Sequence, residues 1–84
     1  MTRDDIFAQI RETLVDSFEI EAERVTLEAS LVQDLELDSI DAIDMAVRIQ
    51  EMTSVRVDEE DLKQLRTVED TVDLVERLLQ RAAS

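Results

Sequence analysis

The side chains that could carry chemistry in this sequence are few, and most of them are carboxylates. The chain has no His, Cys, Tyr or Trp, so it lacks the usual general base at neutral pH and the usual soft metal ligands. We therefore do not expect an enzyme. One hydroxyl is placed unusually, since Ser39 lies in an acidic run at residues 34–41, DLELDSID. Asp38 or Ser39 can cap a helix that starts here, so an ordinary N-cap serine is the simplest interpretation.

The same acidic run has part of the pattern of a calcium-binding loop. Asp34, Glu36 and Asp38 alternate as the first ligands of such a loop do. The pattern then requires Gly at its sixth position and Glu at its twelfth, where this sequence has Ser39 and Met45. We reject the calcium loop and predict no metal site.

The elements that position these residues are predicted to be helices. The chain contains no Gly and no Pro, which are the usual residues of tight turns and hairpins. Apolar residues recur at helical spacing, and Thr or Asp precedes several of the runs as a cap. The predicted helices are helix one over 3–18, helix two over 39–52, a short helix three over 58–65 and helix four over 68–81.

These helices predict an all-α fold in one domain over residues 1–84. The fold is a small four-helix bundle with three longer helices and one short helix. A long loop joins helices one and two. Helical periodicity lapses in it, but aliphatic residues keep recurring between polar ones, which indicates that the loop is pinned to the core. Loops of this length are uncommon in small domains and are often functional.

Helix two has two apolar stripes when it is drawn on a helical wheel. One stripe is predicted to face the core and comprises Ala42, Met45, Ala46, Ile49 and Met52. The other lies nearly opposite, is flanked by carboxylates, and comprises Ile40, Ile43 and Val47 with Asp41, Asp44 and Glu51. An apolar strip with an acidic rim indicates a docking surface for a partner protein. The alternative is that Ile40 or Ile43 packs under the long loop.

Charge restricts the partners that this surface can have. The formal net charge is -13, and the segment 34–61 holds ten acidic and two basic residues. Such a surface repels nucleic acid and anionic membranes, and it favours basic patches on other proteins. A solvated surface that maintains solubility is the alternative interpretation of the acidic cluster.

The sequence also indicates where the protein works. The absence of Cys excludes a disulfide framework. The N-terminal stretch is amphipathic and no long apolar run follows it, so we predict neither a signal peptide nor membrane insertion. A cytoplasmic monomer is expected.

The order of these features resembles the acyl carrier protein family over nearly the whole chain. The run at 34–41 resembles the family's phosphopantetheine attachment motif, in which Asp-Ser-Leu opens the second helix. Helix one, the long loop, residues 57–60 (VDEE) and residues 67–70 (TVED) also follow in the family's order. The resemblance implies a carrier of acyl groups, held as thioesters on a 4'-phosphopantetheine arm.

The resemblance assigns roles to individual residues. It implies that a phosphopantetheinyl transferase attaches the arm from coenzyme A to Ser39, next to Asp38. It places partner recognition on the outer face of helix two, at Ile40, Asp41, Ile43, Asp44, Val47 and Glu51. It places the shelter for the acyl chain in the core, at Met45, Ala46, Ile49, Leu62, Val72 and Val75. The implied partners are enzymes of the ketosynthase, acyltransferase, reductase and dehydratase types.

Several residues depart from the family's usual pattern. Glu36 stands where many members have Gly, so the loop must turn there without the conformational freedom of Gly. Ile40 replaces the commoner Leu. Arg48 and Gln50 occupy positions that are more often small or acidic, and they argue against recognition by ordinary fatty-acid synthase enzymes. The run at 37–44 is similar to specialised bacterial carriers such as those of aryl-polyene pathways.

Three functions are compatible with the sequence. The first is an acyl carrier of fatty-acid or polyketide-like biosynthesis. The second is an aminoacyl or D-alanyl carrier of the same fold, which sequence alone separates poorly from the first. The third is an acidic helical adaptor without modification, for which the hydroxyl of Ser39 would be unnecessary. A carboxylate-only metal protein is disfavoured, because the chain lacks the paired Glu-x-x-His pattern of such sites.

Overall fold

The computed structural model of the protein describes residues 1–83, so the last residue of the predicted domain lies outside the described part. Its elements are α1 over Arg3–Phe18, a 3₁₀ helix over Ala22–Arg24, α2 over Ser39–Thr53, α3 over Glu59–Lys63 and α4 over Val68–Ala83. Three of the four α-helices are long and the third is short. The predicted all-α bundle is therefore confirmed.

Each of the long helices begins at a pair of side chains that satisfy one another's backbone N–H groups. In α1 the backbone N–H of Asp5 donates to the hydroxyl of Thr2, and that of Thr2 donates to the carboxylate of Asp5, each over 3.2 Å. These two hydrogen bonds also lower the pKa of the Asp5 carboxyl. The same arrangement starts α4, between Thr67 and Asp70. These reciprocal caps are local signals, which explains why the predicted helix starts were accurate.

The helix ends differ more from the predictions than the starts do. Helix three is shorter than predicted, because Asp58 lies before it as the N-cap and Leu65 only continues a turn through its N–H to the carbonyl of Leu62. Helix two extends to Thr53, whose hydroxyl donates to the carbonyl of Ile49 over 2.9 Å. Helix four extends to Ala83.

The core is formed mainly where α1 packs on α4. The innermost side chains of both helices have almost no solvent exposure, and they are Ile6, Ile10, Leu14, Val68, Val72, Leu74, Val75 and Leu78. At the rim, the guanidinium of Arg3 lies 2.7 Å from the carboxylate of Asp73 and 3.3 Å from that of Glu76. The second helix packs on α4 as well.

The loop between α1 and α2 is pinned to this core as predicted. Most of its aliphatic side chains are buried, namely Ile20, Val25, Leu31, Leu35 and Leu37. The loop also makes an isolated antiparallel bridge between Ser30 and Thr67, with N–H groups of Leu31 and Val68 donating to the carbonyls of Arg66 and Ala29. This bridge and the 3₁₀ helix had not been predicted. They fasten the loop to the start of α4.

The chain turns at three places with left-handed backbone conformations that Gly usually adopts. Glu19 ends α1 with φ 57°, Ser54 ends α2 with φ 58°, and Glu36 lies in the loop with φ 56°. The predicted turn at Glu36 is therefore present without Gly. No helix within residues 1–83 has the length and apolar character that crossing a membrane requires.

Candidate functional site

The start of α2 is capped by Asp38 and not by Ser39. The backbone N–H of Asp41 donates to a carboxylate oxygen of Asp38 over 2.9 Å, and the N–H of Asp38 donates to the carboxylate of Asp41 over 3.1 Å. Asp38 has an extended backbone, as an N-cap residue does. Of the two caps that the sequence allowed, the structure selects Asp38, and Ser39 becomes the first helical residue.

The side chain of Ser39 is consequently free for another use. Ser39 is exposed, and its hydroxyl makes no hydrogen bond with the residues that the structure describes. The backbone N–H groups of Ser39 and Ile40 precede the first intrahelical bond of α2, which runs from the N–H of Ala42 to the carbonyl of Asp38. Unpaired N–H groups at a helix N-terminus favour an anion. The site therefore fits a phosphodiester joined to the Ser39 oxygen.

The neighbouring carboxylates oppose non-covalent binding of a phosphate at this site. Asp38 and Asp41 flank Ser39 and have the same sign of charge as a phosphate. Like charges disfavour binding of a free phosphate compound, so affinity alone would be weak here. A covalent link to the Ser39 oxygen removes the need for affinity.

The loop before Ser39 holds this helix start in place. Leu35 and Leu37 are buried on either side of the exposed Glu36. The N–H of Leu37 donates to the carbonyl of Leu31 over 2.9 Å, and the guanidinium of Arg24 donates to the carbonyl of Asp34. Two buried anchors and two loop hydrogen bonds thus precede the exposed hydroxyl.

The two apolar stripes of α2 face opposite environments. Met45, Ala46 and Ile49 are buried in the core. On the opposite face the exposed fractions are 75% for Ile40, 60% for Ile43 and 44% for Val47. Ile40 and Ile43 therefore do not pack under the loop, and the outer face is an apolar strip without a covering element in the described chain.

The carboxylates beside this strip are not equivalent. Asp41 is half-buried and is engaged in the helix cap. A carboxylate oxygen of Asp44 lies 3.8 Å from Nε of Arg48, one turn further along. Glu51 is exposed and has no ion-pair partner among residues 1–83.

A small apolar cavity lies behind the start of α2. Its volume is about 60 Å³, and its walls are Leu31, Val32, Leu37, Asp38, Ala42, Met45, Leu62 and Leu65. Two members of the predicted acyl shelter, Met45 and Leu62, line it. Ala46, Ile49, Val72 and Val75 are buried in the core but do not line this cavity, so their role stays a prediction.

Sequence reasoning missed the loop contribution to this cavity. Leu31, Val32 and Leu37 come from the long loop, and Leu65 follows α3. Their distance from α2 along the chain gives no periodic signal. Val32 is 67% exposed, and an exposed Val in a loop is unremarkable from sequence. No cluster of three or more acidic, His or Cys side chains that could hold a metal ion occurs among residues 1–83.

Comparison with known proteins indicates the same family. A family profile described as "Phosphopantetheine attachment site" matches residues 8–75. The chain is 46% identical over 79 residues to acyl carrier protein 2 of Ralstonia nicotianae, and the alignment covers 94% of this chain and 98% of that one. It is 36% identical to the meromycolate extension acyl carrier protein of Mycobacterium leprae, over 93% of this chain and 68% of the relative.

The fold is similar to solved structures of the same kind. The acyl carrier protein of Thermotoga maritima superposes with a TM-score of 0.84 at 26% identity, over 95% of this chain and 93% of that chain. The acyl carrier protein of Enterococcus faecalis gives a TM-score of 0.73 at 27% identity, over 89% and 95% of the two chains. The sequence profile, the relatives and the fold agree, and the chain belongs to the acyl carrier protein family.

Proposed function

We propose that the protein carries acyl groups on a 4'-phosphopantetheine arm joined to the hydroxyl of Ser39. Family membership supports the cofactor and the general carrier role. The observation that carries the assignment to Ser39 is the geometry of that residue, which is exposed, first in α2, and free of hydrogen bonds to the described chain through its hydroxyl. Ser17 and Ser54 are also exposed, but they lie at the C-terminal ends of α1 and α2, where the helix dipole disfavours a phosphate.

The residues around Ser39 position the attachment point without activating it. Asp38 and Asp41 hold the first turn of α2 through their reciprocal hydrogen bonds, and the N–H groups of Ser39 and Ile40 remain open to phosphate oxygens. The chain contains no His or Cys, and we propose that the transferase supplies the base that removes the hydroxyl proton. When bound, the arm supplies the thiol that forms the thioester. The protein itself carries and presents the acyl group.

The exposed strip on α2 is proposed as the surface that partner enzymes recognise. Ile40, Ile43 and Val47 provide apolar area that would lose water in a complex, while Asp41, Asp44 and Glu51 form its acidic rim. Apolar contacts at the centre of an interface supply most of the binding free energy, and peripheral charges mainly supply orientation and encounter rate. The phosphopantetheinyl transferase is the first partner expected there.

The cavity beside Asp38 is proposed as the point where an acyl chain begins to enter the core. Its volume of about 60 Å³ is roughly that of two water molecules, so a longer chain requires the helices to move apart. Met45 on its wall is flexible and adaptable, which lowers the cost of such a movement. Ala46, Ile49, Val72 and Val75 are proposed to line the enlarged space.

The biosynthetic setting is proposed to be fatty-acid or polyketide-like, in the cytoplasm. One relative is named for the extension of meromycolate, which supports partners of the ketosynthase, acyltransferase, reductase and dehydratase types. Arg48 and Gln50 on α2 support a specialised set of such partners.

The test is modification in vitro. The protein is incubated with coenzyme A and a promiscuous phosphopantetheinyl transferase, and its intact mass is measured. Wild type and Ser17→Ala should each gain one phosphopantetheine group, while Ser39→Ala should gain none. Ser17 is a matched control because it is also an exposed helical serine. Labelling of Ser39→Ala, or no labelling of wild type, would contradict the proposal.

A further inference from the structure

The outer face of α2 includes one basic residue among its carboxylates. Arg48 is the only Lys or Arg in residues 39–53. Its Nε lies 3.8 Å from a carboxylate oxygen of Asp44, and both side chains are a little less than half exposed. The two charges are therefore close together on the flank of the proposed docking strip.

Arg48 also lies near acidic residues of α1. Arg48 lines an open groove of about 400 Å³ whose opposite wall is α1, including Glu12 and Asp16. Neither of these carboxylates is paired with Arg48, although both attract its positive charge across the groove. Asp44, on the same helix, is the carboxylate that pairs with Arg48 in the described part of the chain.

The pair changes the distribution of charge that an approaching protein meets along the strip. The charge of Asp44 is compensated by Arg48, whereas Asp41 and Glu51 have no ion-pair partner among residues 1–83. Asp41 and Glu51 are ten residues apart in the sequence, which corresponds to about 15 Å along a helix axis. The strip therefore has uncompensated negative charge at its two ends and little at its centre.

The pair contributes little to folding, because exposed ion pairs one turn apart on a helix are weak. Its effect is on recognition instead. A cation on a partner that approaches Asp44 also meets the positive charge of Arg48, so the attraction is reduced. Repulsive charges of this kind are a common source of discrimination between similar partners.

We propose that Arg48 determines partner specificity by masking Asp44. The favoured partner is a protein whose docking patch places basic groups opposite Asp41 and Glu51 and a neutral or acidic group opposite Arg48. A partner with a continuous basic strip is disfavoured. The inference rests on the proposed function, since it concerns the surface used for carrier recognition.

The test is a double-mutant cycle on the modification reaction. The values of kcat/KM for a promiscuous phosphopantetheinyl transferase with coenzyme A are measured for wild type, Arg48→Gln, Asp44→Asn and the double variant, at low and high salt. Arg48→Gln should raise kcat/KM at low salt. Asp44→Asn should lower kcat/KM in both backgrounds. The factor by which it lowers kcat/KM should be about threefold larger in the Arg48→Gln background than in wild type, and this difference should shrink at high salt.

Arg11→Gln is the matched control. It removes the same charge from an exposed position on α1, where Arg11 stacks over the ring of Phe7 with its Cζ 5.6 Å from the ring centroid. It should leave the Asp44→Asn loss unchanged. Equal losses in both backgrounds, including no loss in either, would overturn the masking role while leaving the carrier function intact. If wild type is not labelled at all, the carrier function fails and the inference fails with it.

Discussion

At the scale of single residues, the site depends on Asp38 and Ser39, of which only Asp38 caps the helix. Asp38 caps α2 and thereby leaves the hydroxyl of Ser39 unused. From sequence, either residue could cap, because both Asp and Ser are favourable at that position. The choice follows from the reciprocal hydrogen bonds between Asp38 and Asp41. Ser39 as the cap could not form such a pair, because the residue three positions on is Ala42, whose side chain accepts no hydrogen bond.

Removing the cap should therefore lower the stability of α2 while leaving Ser39 itself unchanged. Asp38→Ala should lower the free energy of unfolding by about 1 kcal/mol. Asp38→Asn keeps a side-chain oxygen that can accept from the N–H of Asp41, so it should lose much less. Urea denaturation followed by circular dichroism measures both. Equal stability of the Ala and Asn variants would show that Asp38 does not cap α2 in solution.

Glu36 illustrates a residue whose backbone conformation conflicts with its type. Its φ of 56° lies in the left-handed region, which costs a residue with a side chain roughly 1–2 kcal/mol and costs Gly little. Glu36→Gly should therefore raise the free energy of unfolding by up to about 1 kcal/mol, after the entropy loss of Gly is subtracted.

The control for this prediction is Glu21→Gly. Glu21 is also an exposed loop glutamate, but its φ is -65°. The same substitution there removes the same charge and should lower the free energy of unfolding by roughly 0.5 to 1 kcal/mol. Thermal and urea unfolding compare the two, and a loss of stability in Glu36→Gly equal to that in Glu21→Gly would contradict the account.

At the scale of elements, α2 combines a core face and an exposed apolar face on one helix. Both faces could be predicted, because helical periodicity assigns Met45 and Ile49 to one side and Ile40 and Ile43 to the other. The 3₁₀ helix at Ala22–Arg24 and the bridge between Ser30 and Thr67 could not. They depend on contacts between distant segments, which leave no periodic pattern in the sequence.

Substitutions of acidic and of apolar residues on the outer face of α2 should affect modification by the transferase in different ways. Glu51→Lys should slow modification by the transferase, and the effect should shrink as salt is raised, because screened charges steer less. Ile43→Ala should lower kcat/KM for the same reaction with little salt dependence. The loss should correspond to about 1 kcal/mol or more if Ile43 lies near the interface centre.

Glu51 is better suited to this comparison than Asp41, because Asp41 is part of the helix cap. Both variants should retain the circular dichroism of the wild-type helices. The kinetic constants are measured across a salt series with coenzyme A. If folded Glu51→Lys and Ile43→Ala are both modified at the wild-type rate, α2 is not the surface that this enzyme recognises.

At the scale of the whole molecule, charge is distributed unevenly over a small body. Residues 34–61 carry a net charge of -8 of the total -13, and this segment contains the capped start of α2, its outer face and α3. Composition alone predicted an acidic surface. The cavity wall could not be predicted in the same way, since Val32, Met45 and Leu65 come together only when the loop, α2 and the end of α3 pack.

The uneven charge implies self-repulsion that added ions should relieve. The melting temperature should rise with monovalent salt, because screening weakens repulsion between exposed carboxylates. Millimolar divalent cations should raise it more, through their greater charge. Differential scanning calorimetry across both series measures the effect. A flat response in both would mean that the carboxylates are already compensated or lie too far apart to repel one another.

The proposed attachment of the arm to Ser39 can be tested by locating the added group within the chain. Trypsin cleaves after Arg24 and Arg48, so residues 25–48 form one peptide that contains Thr26, Ser30 and Ser39. After modification with coenzyme A and the transferase, fragmentation of this peptide by tandem mass spectrometry assigns the group to one residue. The added mass should appear only on fragments that include Ser39. Its appearance on Ser30, on Thr26 or on a different peptide would show that Ser39 is not the attachment site.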